Sequence, residues 1–156
     1  MILLDNQSKL VPGNAVAALL INEDGECLMQ LRDPIASIFY PDHWGCFGGG
    51  LEPHDANLES GLQRELSEEI GIKFNVERFA KFTSFTFDLQ FCGREIIDRT
   101  YYCIKISDRE TKALVLGEGA EMAFFSYENL IAQSKVVPYD AYAAWLYYSQ
   151  DRLKDD

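Results

Sequence analysis

The sequence predicts an α/β (α+β) domain in which helices are layered on a mixed β-sheet. Three observations carry that prediction. Strand-like apolar runs recur along the chain, one strongly amphipathic helix is inserted among them, and a second helical stretch closes the sequence. The 156 residues suit one domain spanning 1–156, and 47% hydrophobic with 13% aromatic residues supplies one core. No repeat, linker or low-complexity tract interrupts it.

The elements follow in order. Asn14 to Asn22, "NAVAALLIN", reads as a buried strand; "EDGE" turns the chain and "CLMQLRD" returns it, making a hairpin. "PIASIFYPDH", with two prolines and no period, reads as a loop. "WGCFGGGLEPHD" is a short strand running into a glycine-rich turn, and Asn57 to Ile70 is the clearest helix. "FNVERFAKFTSFTFDLQFCG" and "REIIDRTYYCIKI" read as β-structure, their aromatics mostly core or interface. "GEGAEMAFFSYENLI" is a strand meeting a helix capped by Ser126. From Pro138 a single terminal helix puts Tyr142, Trp145, Leu146 and Leu153 on one face.

A net charge of -11, from 25 acidic and 14 basic residues, leaves no broad basic face for a nucleic acid polymer or an anionic membrane. It also repels phosphorylated substrates, unless bound cations reverse the sign locally. Cys27, Cys46, Cys92 and Cys103 form no CxxC pair and read as buried, reduced thiols of a cytoplasmic protein. "MILLDNQSKL" lacks the basic start of a signal peptide, and no apolar run approaches the roughly 20 residues that span a bilayer.

The chemistry concentrates in "RELSEEIG", where Glu65, Glu68 and Glu69 crowd one turn. At about 100° per residue, Leu58, Leu62, Leu66 and Ile70 form an apolar arc of roughly 120°. Glu69 falls inside the edge of that arc, Glu65 about 20° outside it, and Glu68 about 60° further on. The acids therefore border the buried face. Like charges at this spacing repel, and acids late in a helix oppose its dipole. Either the face is simply solvated, or something positive compensates. Arg64 can pair with one carboxylate, and hard oxygen donors at this spacing suit Mg²⁺ or Mn²⁺. Gly48, Gly49 and Gly50 let backbone approach a metal or phosphate, and mid-helix Gly61 implies close packing on the sheet or loop.

These residues resemble the Nudix hydrolase signature: glycine, five residues, glutamate, seven residues, then Arg-Glu-apolar-x-Glu-Glu-x-Gly-apolar. Arg64 to Ile72 matches the second half at every defined position. In the first half Asp55 replaces the glutamate and one residue is inserted before Arg64. The resemblance implies an α/β/α sandwich around a central mixed sheet. It further implies metal-dependent hydrolysis of the diphosphate linkage in a nucleoside diphosphate joined to another group: a nucleotide sugar, modified nucleotide or dinucleotide.

Carried over residue by residue, it gives Glu65, Glu68 and Glu69, with the Gly48 carbonyl, as holders of Mg²⁺ or Mn²⁺. Arg64 orients the glutamates, and Asp55 caps the helix or binds the loop. Glu118 and Glu121 in "GEGAEM" offer a further carboxylate or belong to a solvated loop; spacing does not choose. Glu52 shapes the site or is a plain loop acid. Phe39 and Tyr40, in a loop beside the motif, either stack on substrate, with Gly49 and Gly50 also contacting it, or pack in the core or as a lid; His43 and Trp44 read as structural. The implied partner is a small phosphorylated substrate, with a homodimer permitted. A binding or regulatory module of the same fold with little hydrolysis is the alternative, since the first half is irregular.

Overall fold

The structure, a computed structural model, describes residues 9–155. Residues 1–8, which hold most of the N-terminal stretch read for a signal peptide, and residue 156 lie outside it.

Strand β1 (Ala15–Ile21) is the spine of the sheet. Its C-terminal end meets β2 (Cys27–Leu31) in the expected hairpin, Ile21 opposite Cys27. Its N-terminal half pairs antiparallel with β4 (Phe47–Gly50), placing Ala17 opposite Gly48 and Val16 opposite Gly49. Along its other edge β1 runs parallel to β6 (Ile96–Lys105), which pairs antiparallel with β5 (Ala80–Asp88). β2 also pairs antiparallel with β3 (Trp44–Gly45) and β7 (Glu121–Phe125). The sheet is therefore mixed, and β1 is buried on both faces. That is why "AVAALLI" reads as a continuous apolar run rather than an alternating one.

Alternation along β1 divides two apolar layers. Val16, Ala18 and Leu20 pack with Leu62, Leu66 and Ile70 of α1 (Leu58–Ile70). Ala17, Leu19 and Ile21 pack with Leu130 of α3 (Tyr127–Ile131) and Ala143 and Ala144 of α4 (Pro138–Tyr148). This is the expected α/β/α sandwich. Asn57 caps α1 in a reciprocal capping box with Ser60, and Gly71, at φ 74°, ends the helix. Ser126 caps α3 as expected.

Several expectations change. The terminal helix breaks at Ser149 into α4 and α5 (Gln150–Leu153). Its inward face is not Tyr142, Trp145, Leu146 and Leu153: Tyr142 and Leu153 are exposed, and Asp140, Ala143 and Ala144 are buried instead. The sheet presents Phe85 and Tyr101 on this side, so the helix approaches through small residues. Tyr142 stacks outside on Trp145. Cys27 and Cys46 are buried, but Cys103 is half-buried and Cys92 is exposed in the turn between β5 and β6, with Phe91 beside it. A short helix, α2 (Asp108–Ala113), was not anticipated; it is capped by Ser107 and Glu110 and is too polar to show a period. Among the described residues no helix is long and apolar enough to cross a membrane.

Candidate active site

The glycine strand and the acidic border of α1 are built for each other. Gly48 has φ +137°, and a Cβ there would lie 2.1 Å from the Val16 carbonyl oxygen, so only glycine fits. Its N–H donates to Oε2 of Glu69 at 3.1 Å. A Cβ on Gly49 would lie 2.7 Å from the Glu65 carboxylate. One on Gly61 would lie 2.7 Å from Leu51 Cδ2, which accounts for a glycine inside a helix. Small residues on both sides let α1 settle its acids directly onto β4.

Arg64 fastens this contact. Its Nε and Nη2 donate to the two Asp55 carboxylate oxygens, each at 2.9 Å, in a bidentate pair. Nη2 also donates to the Gly50 carbonyl at 3.2 Å, while Nη1 reaches Glu65 at 3.0 Å and Glu68 at 3.5 Å. Asp55 is held at about 2 by the Arg64 hydrogen bonds and by the Glu52 N–H it accepts. The helix cap is Asn57, so Asp55 serves the loop and Arg64. The shorter side chain and the inserted residue thus leave the arginine clamp intact.

The acids are costly as they stand. Glu69 is 4% exposed, and burial pushes its carboxyl up to about 8; the Gly48 N–H opposes the shift, and Glu65 and Glu118 reinforce it. Glu65 is raised too, chiefly by burial and against the pull of Arg64. Glu118 is brought close by a loop sewn onto the end of α1. Gly117 N–H donates to the Glu69 carbonyl at 2.7 Å, Val115 N–H to that of Ile70 at 3.1 Å, and Gln30 Nε2 to that of Glu118 at 2.7 Å. Among the described residues no three His, Cys, Asp or Glu side chains are gathered as a ready metal cluster. Arg64 engages Glu65 and Glu68, while Glu69 turns to Gly48.

Glu65, Glu69, Glu118 and Gly48 to Gly50 open on a cavity of about 640 Å³, within the range of small-molecule sites. Phe39 and Tyr40 line it as well. Glu68 is half exposed and Glu52 nearly so, bonded to Arg64 and His54, and neither lines the cavity. Glu121 is exposed at the start of β7, opposite Leu31, and is not part of the lining. His43 bonds the Pro41 carbonyl, and Trp44 packs on Phe125.

Sequence reasoning missed other residues of the cavity wall, among them Gln30, Arg32, Phe87, Arg99, Tyr139 and Asp140. Arg32 donates its Nε–H to the Phe39 carbonyl at 2.7 Å, and the same cavity wall carries a second polar centre. There Asp140 Oδ1 accepts from Arg99 Nη2 at 3.1 Å and from Tyr101 Oη at 2.6 Å. Its Oδ2 accepts the Cys46 N–H at 2.9 Å. Burial, then Asp140, raises the Tyr101 phenol far above its ordinary value. The available signal was a charged residue set inside each of two apolar elements, "DRTYYC" and "PYDAYAA".

Three comparisons place this architecture among known proteins. A 64-residue segment is 34% identical to nucleoside triphosphatase NudI of Escherichia fergusonii, covering 41% of this chain and 44% of that protein. The chain thus matches less than half of that relative's length. The crystal structure of a MutT protein from Methanosarcina mazei Go1 superimposes with a TM-score of 0.67 at 22% identity, covering 94% of this chain and 100% of that one. The NUDIX domain of Shewanella oneidensis NrtR, solved with ADP ribose, gives 0.66 at 15% identity, covering 96% and 94%. At these identities the superpositions speak for the fold. A family model for the NUDIX domain matches residues 11–146, and the chain belongs to that family.

Proposed function

We propose that the protein hydrolyses the diphosphate linkage of a small nucleotide-derived substrate with the help of Mg²⁺ or Mn²⁺, in the cytoplasm. One observation carries the reading. Glu65 and Glu69 lie against Gly49 and Gly48 on the wall of a nucleotide-sized cavity, with Arg64 clamped behind them. The donor set is all hard oxygen, and the burial and mutual repulsion that raise Glu69 are what a divalent cation would offset. Glu65, Glu68, Glu69 and the Gly48 carbonyl would hold the ion. Once bound, such an ion supplies charge neutralisation at the diphosphate oxygens and a water of lowered pKa.

The chain's own groups do the rest. Arg64 sets the position of Glu65 and, through Gly50, of the glycine strand. Glu118 lies close enough to add a carboxylate for ligation or for taking a proton from the attacking water; Glu121 lies outside the cavity lining and is the weaker candidate. Gly49, Gly50, Phe39 and Tyr40 bound the space left for substrate, with Glu52 at the rim helping to hold Arg64. The nucleoside triphosphatase activity named for the NudI relative and the ADP ribose held by the NrtR domain support a nucleotide-derived substrate.

The test is product release from a panel of nucleoside triphosphates and nucleoside diphosphate derivatives with Mg²⁺, Mn²⁺ or EDTA, beside Glu69→Gln. Metal-dependent turnover that Glu69→Gln abolishes is expected. Turnover that survives EDTA or this substitution sinks the reading. Ligand binding without any turnover would favour the binding-module alternative.

A further inference from the structure

The Arg99 centre has a geometry that the diphosphate chemistry does not use. The Arg99 side chain is 15% exposed, and that of Asp140 beside it 2%. Arg99 spends the Nε–Nη2 side of its guanidinium on Tyr101 Oη and Asp140 Oδ1. Nη1 has no hydrogen-bond partner among the described residues, yet no buried side-chain nitrogen there is left unpaired. Nη1 is therefore accessible, and Arg99 lines the cavity. What remains open is the end-on edge, one N–H from Nη1 parallel to one from Nη2. That edge is a rigid fork for two adjacent acceptors.

Three features say which acceptors. First, Asp140 cancels the charge of Arg99 at contact on its Nε–Nη2 side, so a second anion gains little there. Second, the surroundings are aromatic and apolar. Tyr139 lies under the guanidinium at 4.9 Å, its ring is met edge-on by Tyr40 and Phe87, and Leu89 and Ile97 complete the wall. Third, Arg32 lines the same cavity, its Nε donating to the Phe39 carbonyl at 2.7 Å, and supplies the cation a phosphate would need. A neutral planar ring bearing two neighbouring acceptors fits all three. Guanine offers such a pair at O6 and N7, whereas adenine replaces one acceptor with an amino donor.

We propose that Arg99, locked by Asp140 and Tyr101 and backed by Tyr139, reads the O6/N7 edge of a guanine base and makes the protein select guanine nucleotides. The inference rests on the proposed function only in taking the substrate to be nucleotide-derived. Arg99 is a specificity-determining residue. Asp140 is a positioning residue that fixes the fork, and through the Cys46 N–H it ties this end of the cavity to the strand leading into Gly48.

The experiment is calorimetric binding of GMP, IMP, 7-deaza-GMP, AMP and CMP in EDTA, so that no metal chemistry enters. GMP and IMP, which share O6 and N7, are expected to bind alike. 7-Deaza-GMP, which lacks only the N7 acceptor, and AMP are expected to bind on the order of 10- to 100-fold more weakly. Arg99→Lys keeps a cation beside Asp140 but removes the fork, so it should level the series; a thermal melt checks that the variant is folded. Equal binding of GMP and 7-deaza-GMP by the unaltered protein overturns the proposal without any variant. So does a preference for CMP through its O2/N3 pair, or a loss in Arg99→Lys of pyrophosphate binding with base preference unchanged. Guanine preference without turnover on any substrate would sink the hydrolytic reading and leave this one standing; turnover without base preference would do the reverse.

Discussion

Replacing Gly49 with alanine tests the site at its tightest contact. The added Cβ would sit 2.7 Å from Cδ and Oε1 of Glu65 and 2.8 Å from Oε2. Ordinary contact lies at about 3.5 Å, so the carboxylate must recede by roughly 0.8 Å. The backbone at Gly49 lies outside the left-handed region, and the atoms met belong to the end of a flexible side chain. Folding should therefore be nearly indifferent, with a gain of about 0.4–1 kcal/mol from a stiffer unfolded chain set against the displaced carboxylate. Catalysis should not be indifferent. A misplacement near 1 Å costs on the order of 100-fold in turnover. The assay is metal-dependent product release on the best substrate, with a thermal melt alongside. The expected pair is an unchanged melting temperature and a fall of about two decades in kcat, moderated by higher Mg²⁺. Near-normal turnover in a folded variant would refute the claim that Glu65 works from this position. Gly48→Ala sets the contrast: with Val16 O only 2.1 Å from its Cβ and φ at +137°, that protein should fail to fold.

Arg64→Lys should leave the fold intact yet lower turnover by roughly 10- to 100-fold, because an ammonium cannot serve Asp55 bidentately while also reaching Gly50 and Glu65; steady-state kinetics at saturating metal checks it, and wild-type kcat would dismiss the clamp. Asp140→Ala should cost about 3 kcal/mol in urea unfolding, the low end for a broken buried pair, since Arg99, 15% exposed, is then left without its carboxylate; a cost below 1 kcal/mol would show the pair to be solvated. The acid limb of stability should depend on Glu110, which hydrogen bonds to Arg78 and the Ser107 N–H hold down to about 2 from an ordinary 4.5. A depressed folded-state pKa gives stability that is present above 4.5 and lost as pH falls through 2. Urea midpoints between those pH values should therefore slope less in Glu110→Gln than in the parent, and parallel curves would remove Glu110 from the account.

What the sequence disclosed follows contact range. Periodicity placed Glu69 inside the edge of an apolar arc, and it is buried with Leu62, Leu66 and Ile70. It also flagged Gly61 as a close-packing glycine, which its distance to Leu51 bears out. These are readings within one helix, or between a helix and the loop just before it, where a few residues of spacing fix the geometry. The hairpin and the strand β6 were legible for a related reason, strand-like composition being local, whereas the parallel pairing of β6 with β1 was not read from the sequence.

The second polar centre escaped because nothing local encodes it. Arg99 and Asp140 lie 41 residues apart, on a strand and at the start of a helix. Each alone looks like a surface charge on an otherwise apolar element. Only the crossing of α4 over β6, through the small residues Ala143 and Ala144, brings them to contact, burying Asp140 and leaving Arg99 partly open to the cavity. The error over the terminal helix has the same root. Assigning its large aromatics to the core put Tyr142 and Trp145 inward, but an inward Tyr142 would hold the helix off the sheet and open the Asp140–Arg99 contact. Bulk on the outer face is thus the condition for the Asp140–Arg99 contact at the inner one, where Arg99 lines the cavity.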